Sequence, residues 1–226
     1  MTKKAKHPPT VIAIDGTAAS GKGTLAQKIA DHLDFAYLDT GLLYRATAFT
    51  VLKNSSLNGN IRENVAVKAA RTFLPETLHN PELREELIGQ FSSRLGAMKR
   101  VREALIKRQR DFAKNPPNNS AGAVLDGRDI GTVVFPNADY KFYIVADIKV
   151  RAKRRKKEIE STGEHISMNE VILFLQARDK KDSSRQHSPL MIAEDAIELD
   201  TTKLTIDEQV NYIINIVNKN QKGAQL

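Results

Sequence analysis

The residue types and spacing of the segment 16–24, GTAASGKGT, are suited to holding phosphate groups. Gly16 and Gly21 allow backbone N–H groups to turn inward, and Lys22 can reach the outer phosphates of a nucleotide. A merely tight turn would not need the lysine. The segment is therefore predicted to be a nucleotide phosphate loop, with these contacts: Gly16, Thr17, Ala18, Ala19, Ser20, Gly21, Lys22, Gly23 and Thr24.

A second candidate group follows the apolar run that ends at Asp39. Thr40 comes next, and Tyr44 and Arg45 lie one helical turn further along the chain. An arginine beside a hydroxyl and a helix N-terminus suits a second phosphate-bearing ligand. The alternative is that Thr40 only caps the helix and Arg45 is solvated.

The block 124–129, VLDGRD, ends a third apolar run with two carboxylates and an arginine. Asp126 can act as the acid that holds Mg²⁺ through its water shell, because Mg²⁺ keeps several waters and uses few carboxylates. Arg128 and Asp129 would project toward a phosphate acceptor. A turn that uses aspartate and glycine for backbone reasons is the competing interpretation.

Two further charged groups recur at offsets of three and four: Arg151, Arg154 and Arg155 in the first, and Arg178, Asp182 and Arg185 in the second. This spacing places the first group on one side of a helix, and it does the same for the second group if that helix continues to Arg185. The first group could clamp transferring phosphates or form part of a solvated basic face. The second group fits ligand recognition and exposed charge pairing equally well.

Short apolar runs that end in aspartate recur along the chain and predict five strands, at 11–15, 35–39, 123–126, 140–147 and 196–200. Helical patterns lie between them, at 22–33, 41–53, 62–73, 98–113, 149–160, 168–181 and 206–219. Strands that alternate with helices indicate a parallel α/β sheet. Ligands of such sheets bind at the carboxyl ends of the strands, where these aspartates lie.

The length of 226 residues, without internal repeats, predicts one domain over 1–226. The interval between the second and third strands is longer than one crossover helix needs and contains Pro75 and Pro81. We therefore expect a core at about 10–60 and 98–218, a helical insert at about 61–97 and a short lid at about 151–170.

Composition narrows the possible partners. The net charge is +8, but tryptophan is absent and the arginines are scattered, which favours small phosphate-bearing ligands over nucleic acid. No apolar run is long enough to span a membrane, and the basic start at 1–9 lacks the apolar segment of a secretory signal. Zero cysteines exclude disulfides and thiolate catalysis. We expect a cytoplasmic monomer that binds neither membrane nor nucleic acid.

In their order, these blocks resemble the motifs of bacterial-type cytidylate kinases, which belong to the P-loop nucleoside monophosphate kinases. The GKGT ending at 21–24, with its delayed threonine, is typical of that superfamily. The matching blocks are GTAASGKGT, LDTGLLYR at 38–45, VREALIKRQRDF at 101–112, DGRDIGTVVFPNA at 126–138 and RDKKDSSRQHSPL at 178–190. The resemblance covers about 11–217, and DGRDIGTVVFP is its most specific element.

The resemblance implies a three-layer α/β fold with a five-stranded parallel sheet flanked by helices, a helical monophosphate-binding insert and a lid. It implies ATP as co-substrate, with Arg151 and Arg155 beside the phosphate loop, and Mg²⁺ supported by Thr24 and Asp126. Catalysis would depend on Lys22, Arg128 and Arg154. CMP or dCMP would be bound by this set: Thr40, Tyr44, Arg45, Ser93, Arg102, Arg128, Asp129, Arg178, Asp182 and Arg185.

Within that set, Asp129 and Ser93 would read the cytosine, and Asp182 with Arg178 would engage the sugar and its phosphate side. The family's insert usually carries a small extra sheet, whereas the segment 72–97 is shorter and helix-like. Three other interpretations stay open: a kinase for UMP or AMP, a P-loop switch or binding protein, and a basic nucleic-acid-binding domain. A guanine-specific switch would carry an NKxD stretch, and this sequence has none.

Overall fold

The structure, a computed structural model, describes residues 8–54, 61–161 and 163–223, so most of the predicted tail at 1–9 lies outside it. Its strands are β1 (Thr10–Gly16), β2 (Ala36–Asp39), β3 (Gly122–Gly127), β4 (Tyr140–Val145) and β5 (Ile197–Asp200). They form a five-stranded sheet in the order β2-β3-β1-β4-β5, with β1 parallel to β3 and β4, and β4 parallel to β5. The predicted parallel α/β fold is confirmed.

The helices of the described residues are α1 (Lys22–Leu33), α2 (Thr40–Asn54), α3 (Glu63–Thr72), α4 (Glu86–Leu95), α5 (Lys99–Lys114), α6 (Ile148–Glu160), α7 (Met168–Ser183) and α8 (Ile206–Gly223). Each of the seven predicted helical patterns corresponds to one of them, and α4 is additional. A π-helical turn at Ile130–Val134 follows β3 and is also absent from the sequence-based expectation. No helix in the described part of the chain is long and apolar enough to cross a membrane.

The chain divides into two compact units, of which the first comprises Met1–Leu38 and Ala113–Leu226. Its core is built on the central strand β1, where Ile12 and Ile14 are fully buried, and on Phe142 and Ile144 of β4. Helices α1 and α8 cover these side chains. Because β1 has a neighbour on both sides and is buried within the sheet, its sequence is a continuous apolar run rather than an alternating one.

A second apolar cluster of the first unit comprises Ala18, Ala152, Val171 and Leu175. Ala18 belongs to the predicted phosphate loop, and the other three residues lie on α6 and α7. The loop is therefore packed against a helix pair as well as against the sheet, which restricts how far it can move.

The second unit is Asp39–Phe112, and beyond the last residue of β2 its described residues form helices and short 3₁₀ turns with their connections. Helix α2 packs against α3 and α4, and 3₁₀ turns at Pro75–His79 and Pro81–Arg84 connect α3 to α4. Both turns begin with the prolines that marked this interval in the sequence, since proline suits the first turn of a helix. The segment 61–97 is fully described and contains no strand.

Candidate active site

The phosphate loop connects β1 to α1 and requires glycine at two positions for different reasons. Gly16 lies beside Ile144 of β4, and a Cβ on Gly16 would stand 2.2 Å from the Ile144 carbonyl oxygen. Gly21 has φ of +91°, a conformation that side chains other than glycine rarely adopt, and it precedes the first residue of α1. The two glycines thus set the close approach of the loop to β4 and its entry into the helix.

The loop presents the groups that a polyphosphate needs. The hydroxyl oxygens of Thr17 and Ser20 are buried and accept or donate no hydrogen bond within the described part of the protein. Lys22, Gly23 and Thr24 form the first turn of α1, which contains no acidic residue. Unpaired hydroxyls and a helix N-terminus without carboxylates fit an anion, because the terminal N–H groups and the helix dipole both favour negative charge.

Arg151 of α6 and Asp179 of α7 hold the backbone of the loop at Ala18. The Arg151 guanidinium donates from Nη1 to the Ala18 carbonyl at 3.1 Å and to Asp179 Oδ2 at 2.6 Å. Asp179 Oδ1 accepts the Ala18 N–H at 3.3 Å. Both backbone polar groups of Ala18 are therefore satisfied by one ion pair, and Asp179 is a contact that sequence reasoning did not find.

Arg154 holds the next part of the loop. Its Nη1 donates to the Ser20 carbonyl at 2.7 Å, and its Nη2 donates to the carbonyl of Thr201, just after β5, at 3.2 Å. Burial lowers the pKa of the Arg154 guanidinium. Arg155, the third predicted arginine of α6, forms an ion pair with the more exposed Glu158 at 3.1 Å. The sequence-predicted group therefore separates into two arginines on the loop and one that pairs within its own helix.

Asp126 is buried at the carboxyl end of β3, beside the first turn of α1. Its Oδ1 accepts a hydrogen bond from the Tyr37 hydroxyl at 3.0 Å, and a Cβ on Gly23 would lie 3.6 Å from its Oδ2. No group of three or more His, Asp or Glu residues in the described ranges could hold a metal ion. One carboxylate near a helix turn that carries Lys22 and Thr24 fits the sparse ligation typical of Mg²⁺.

Two arginines share the carboxylate of Asp182. Arg128 Nε donates to Asp182 Oδ2 at 3.0 Å, and Arg185 Nη2 donates to Asp182 Oδ1. Burial alone would raise the pKa of Asp182, but Arg128, Arg185 and Arg178 outweigh it and hold that pKa below its ordinary value. The structure thus assembles a cationic group in which one carboxylate orients two guanidinium groups, and these can accept an anionic phosphate.

Asp129 occupies the start of the π-helical turn. Its side chain is buried, and its carbonyl accepts the N–H groups of Val133 at 2.9 Å and Val134 at 3.1 Å. Asp15, the last residue before Gly16, accepts the N–H of Ile130 at 2.9 Å. The sequence placed Asp15 at a strand end but gave it no role.

In the second unit, Arg45 is held by the 3₁₀ turn Pro81–Arg84 and by Glu85, which connects that turn to α4. Its Nη1 donates to the carbonyl oxygens of Leu83 at 2.7 Å and Glu85 at 3.2 Å. A Cβ on Gly89 of α4 would lie 2.9 Å from Arg45 Nη2. Ser93 follows Gly89 by one turn of α4 and shares its face, which brings the predicted Ser93 to the side of α4 that meets Arg45.

Arg102 of α5 is almost fully buried, although it is a charged residue. Its Nη1 donates to the Gly96 carbonyl at 3.0 Å, and its guanidinium carbon lies 5.5 Å from the centre of the Tyr44 ring. Thr40, at the first position of α2, is also buried. The second unit therefore brings Tyr44 together with Arg102 and Arg45 together with α4.

The phosphate loop follows the central strand β1 of a parallel sheet, and a buried carboxylate, Asp126, lies at the end of the neighbouring strand β3. These two features define a P-loop nucleotide-binding α/β protein. Comparison with known proteins narrows the class. A family model described as cytidylate kinase matches residues 12–219. The chain belongs to the cytidylate kinase family, as its motifs predicted.

Individual relatives agree with this assignment. The chain is 45% identical over 213 residues to the cytidylate kinase of Rhodospirillum rubrum, covering 94% of this chain and 99% of that protein. It is 48% identical over 200 residues to the cytidylate kinase of Bartonella bacilliformis, covering 88% and 90% of the two chains. A solved structure of an uncharacterised protein from Eubacterium ventriosum matches with a TM-score of 0.53 at 16% identity, over 93% and 98% of the two chains, and supports the fold alone.

Proposed function

We propose that the protein transfers the γ-phosphoryl group of ATP to CMP and dCMP by direct in-line displacement. The proposal depends on three features that occur together in the first unit. That unit contains a phosphate loop, a buried carboxylate at the first turn of α1, and the cationic group around Asp182. Membership of the cytidylate kinase family supports the identity of the acceptor.

The donor nucleotide would bind at the loop 16–24. Its backbone N–H groups, the hydroxyls of Thr17 and Ser20, and Lys22 would contact the phosphates, and Arg154 would stabilise charge that develops during transfer. Arg151 would act by holding the loop at Ala18, and Arg155 stays a predicted contact. Thr24 and Asp126 would hold Mg²⁺, which when bound supplies charge neutralisation at the β- and γ-phosphates.

The acceptor would be held in the first unit by Arg128, Arg178 and Arg185, oriented by Asp182, with Asp129 reading the base. In the second unit the predicted acceptor contacts are Thr40, Tyr44, Arg45, Ser93 and Arg102. The attacking oxygen belongs to a phosphate that is already an anion. No general base is therefore needed, and catalysis would come from positioning and electrostatic stabilisation.

Movement of the predicted insert and of the lid at about 151–170 would exclude water until both nucleotides are bound. We further propose that the protein works as a monomer in the cytoplasm without a nucleic-acid partner. The absence of cysteine fits a reducing compartment. Two of the arginines of α6 contact the protein's own loop, which leaves fewer of them for a polyanion.

An acceptor screen tests the proposal. Purified protein with Mg-ATP is given CMP, dCMP, UMP or AMP, and ADP release is followed by a coupled assay. We expect CMP and dCMP to be converted at much higher kcat/KM than the others, and we expect little ATP hydrolysis without an acceptor. Preference for UMP or AMP would indicate a different monophosphate kinase. ATP turnover at the same rate with and without an acceptor would indicate a switch or an ATPase.

Two substitutions on one helix provide the control for this screen. Lys22→Ala removes the amine that reaches the phosphates and should abolish transfer while the far-UV circular dichroism spectrum is retained. Lys28→Ala, on the same helix, removes only a surface ion pair with Asp207 and should keep wild-type turnover. Retained transfer in Lys22→Ala would contradict the proposed role of the loop.

A further inference from the structure

The carboxylate of Asp15 is buried at the end of β1 and accepts hydrogen bonds from a distant part of the chain. Its Oδ1 accepts the Ile130 N–H at 2.9 Å, and its Oδ2 accepts the Gly131 N–H at 2.7 Å. Its side chain is not part of the phosphate loop and belongs to none of the predicted contacts. Burying a carboxylate costs free energy, so we expect Asp15 to have a role other than ending a strand.

The two donors are the first residues of the π-helical turn, Ile130–Val134. The first N–H groups of a helical turn have no partner within the turn, so they require an external acceptor. Asp15 supplies one oxygen to each of them. The Asp129 carbonyl closes the same turn by accepting from Val133 and Val134, so that fixing the turn also fixes the backbone of Asp129.

The surroundings leave little room for the turn to shift. A Cβ on Gly131 would lie 3.1 Å from Cδ of Lys141 and 3.5 Å from Asp15 Oδ2. Arg128 immediately precedes Asp129, and its Nη1 donates to the Gly127 carbonyl at 3.0 Å. The backbone from 127 to 131 is therefore held at both ends, by an arginine at one and by Asp15 at the other.

We propose that Asp15 is a positioning residue for acceptor recognition: it fixes the turn at Ile130–Val134 and thereby the orientation of Asp129 and Arg128. The inference rests on the proposed function, because Asp129 and Arg128 are acceptor contacts only in a monophosphate kinase. Burying this carboxylate works against its ionised form, and burial raises the pKa of Asp15 to about 6. Asp15 is therefore a costly choice for stability alone.

The substitution Asp15→Asn tests the inference at nearly constant shape, because the two N–H groups use different carboxylate oxygens and the amide replaces one of these oxygens with an NH₂ that opposes its donor. We expect the KM for CMP to rise about tenfold and the preference for CMP over UMP to fall by a similar factor. The KM for ATP should stay within about twofold of the wild-type value, since the loop residues are unchanged.

Asp139→Asn is the matched control. Asp139 also accepts a backbone N–H of β1, from Val11 at 2.7 Å, but it is exposed and lies at the opposite end of the strand. This variant should keep wild-type kinetics. If wild-type protein and Asp139→Asn phosphorylate CMP and Asp15→Asn does so with unchanged KM and selectivity, Asp15 has no positioning role. If the wild-type protein does not phosphorylate CMP, the proposed function fails instead.

A measurement on the wild-type protein decides the matter if Asp15→Asn does not fold. The amide proton of Gly131 should shift in NMR spectra as the carboxyl of Asp15 titrates around pH 6, and it should exchange slowly with solvent. The charged groups that act on this carboxyl are Asp129, which raises its pKa, and Arg128, which lowers it; Tyr143 also interacts with it. A Gly131 amide that neither titrates nor resists exchange would overturn the inference.

Discussion

Breaking the ion pair between Arg151 and Asp179 should lower the free energy of unfolding, by an amount that depends on how deeply the two side chains are buried. Asp179→Asn keeps the shape of the side chain but removes the charge that balances the Arg151 guanidinium. The Arg151 side chain is only 9% exposed, and the Asp179 side chain is 22% exposed. The substitution therefore leaves a nearly buried cation without its carboxylate and weakens the acceptor for the Ala18 N–H.

The magnitude can be bracketed. Removing one partner of a fully buried ion pair costs about 3–5 kcal/mol. Because water reaches Asp179 and the amide oxygen still accepts one hydrogen bond, we expect a loss of about 2–3 kcal/mol in the free energy of unfolding. For a chain of 226 residues this corresponds to a decrease in Tm of about 5–10 °C. The KM for ATP should rise about tenfold, since the loop loses its support.

Thermal unfolding by circular dichroism and steady-state kinetics at varied ATP measure both effects. Glu158→Gln is the control, because it breaks the pair with Arg155 in which Glu158 is 64% exposed. Its unfolding free energy should change by less than about 1 kcal/mol. If Asp179→Asn resembles Glu158→Gln in both Tm and KM for ATP, the pair does not hold the loop and the reasoning is refuted.

Three further predictions concern other parts of the protein. Gly16→Ala should yield little folded protein, because its Cβ would meet the Ile144 carbonyl. Gly163→Ala has open space around its Cβ and is strained only by the φ of +86° at that position, so it should fold with a stability loss of about 1 kcal/mol. Soluble yield and circular dichroism compare the two variants. The pKa of Asp15 is raised from 3.8 to about 6, so its contribution to stability is full below about pH 4 and is lost as the pH rises through 6. Urea unfolding should therefore show the wild-type protein losing about 3 kcal/mol relative to Asp15→Asn between about pH 4 and 7, and parallel curves would contradict this. Arg102→Lys should raise the KM for CMP about tenfold and leave the KM for ATP unchanged, because a lysine cannot both stack on Tyr44 and reach the Gly96 carbonyl in the same way; an unchanged KM for CMP would exclude Arg102 from acceptor binding.

The strands and the phosphate loop were predictable because local sequence determines them. The strand at 11–15 is an apolar run, as a strand with neighbours on both sides must be, and the observed β1 extends it by one residue at each end. Helix α1 begins at Lys22 as predicted, since Gly21 adopts the conformation that only glycine accepts readily. The motifs also identified the family, which the comparisons confirm.

The supporting contacts of the site were not predictable, because they join residues far apart in the chain. Asp15 meets Ile130 across 115 positions, and Asp179 meets Ala18 across 161. No local pattern distinguishes either aspartate from a solvated one. Asp15 accepts the first N–H groups of the π-helical turn at Ile130–Val134 through such a contact, and the sequence did not predict that turn.

The separate roles of the α6 arginines could not be predicted from the sequence either. Spacing placed Arg151, Arg154 and Arg155 on one face, and a helical face cannot show which side chain meets the loop backbone and which meets a neighbouring carboxylate. The structure distinguishes them by their acceptors: the Ala18 carbonyl, the Ser20 carbonyl and Glu158. Arg151 and Arg154 therefore hold the backbone of the loop, and a catalytic role for either one would come in addition to these contacts.

Transfer of a labelled phosphoryl group tests the central claim most directly. The protein is incubated with ATP labelled in the γ-phosphate and with CMP, and nucleotides and protein are separated. We expect the label in the β-phosphate of CDP, with none retained on the protein, because the two nucleotides react directly. Label that appears as inorganic phosphate, that remains bound to the protein, or that stays in ATP when CMP is present would contradict the account.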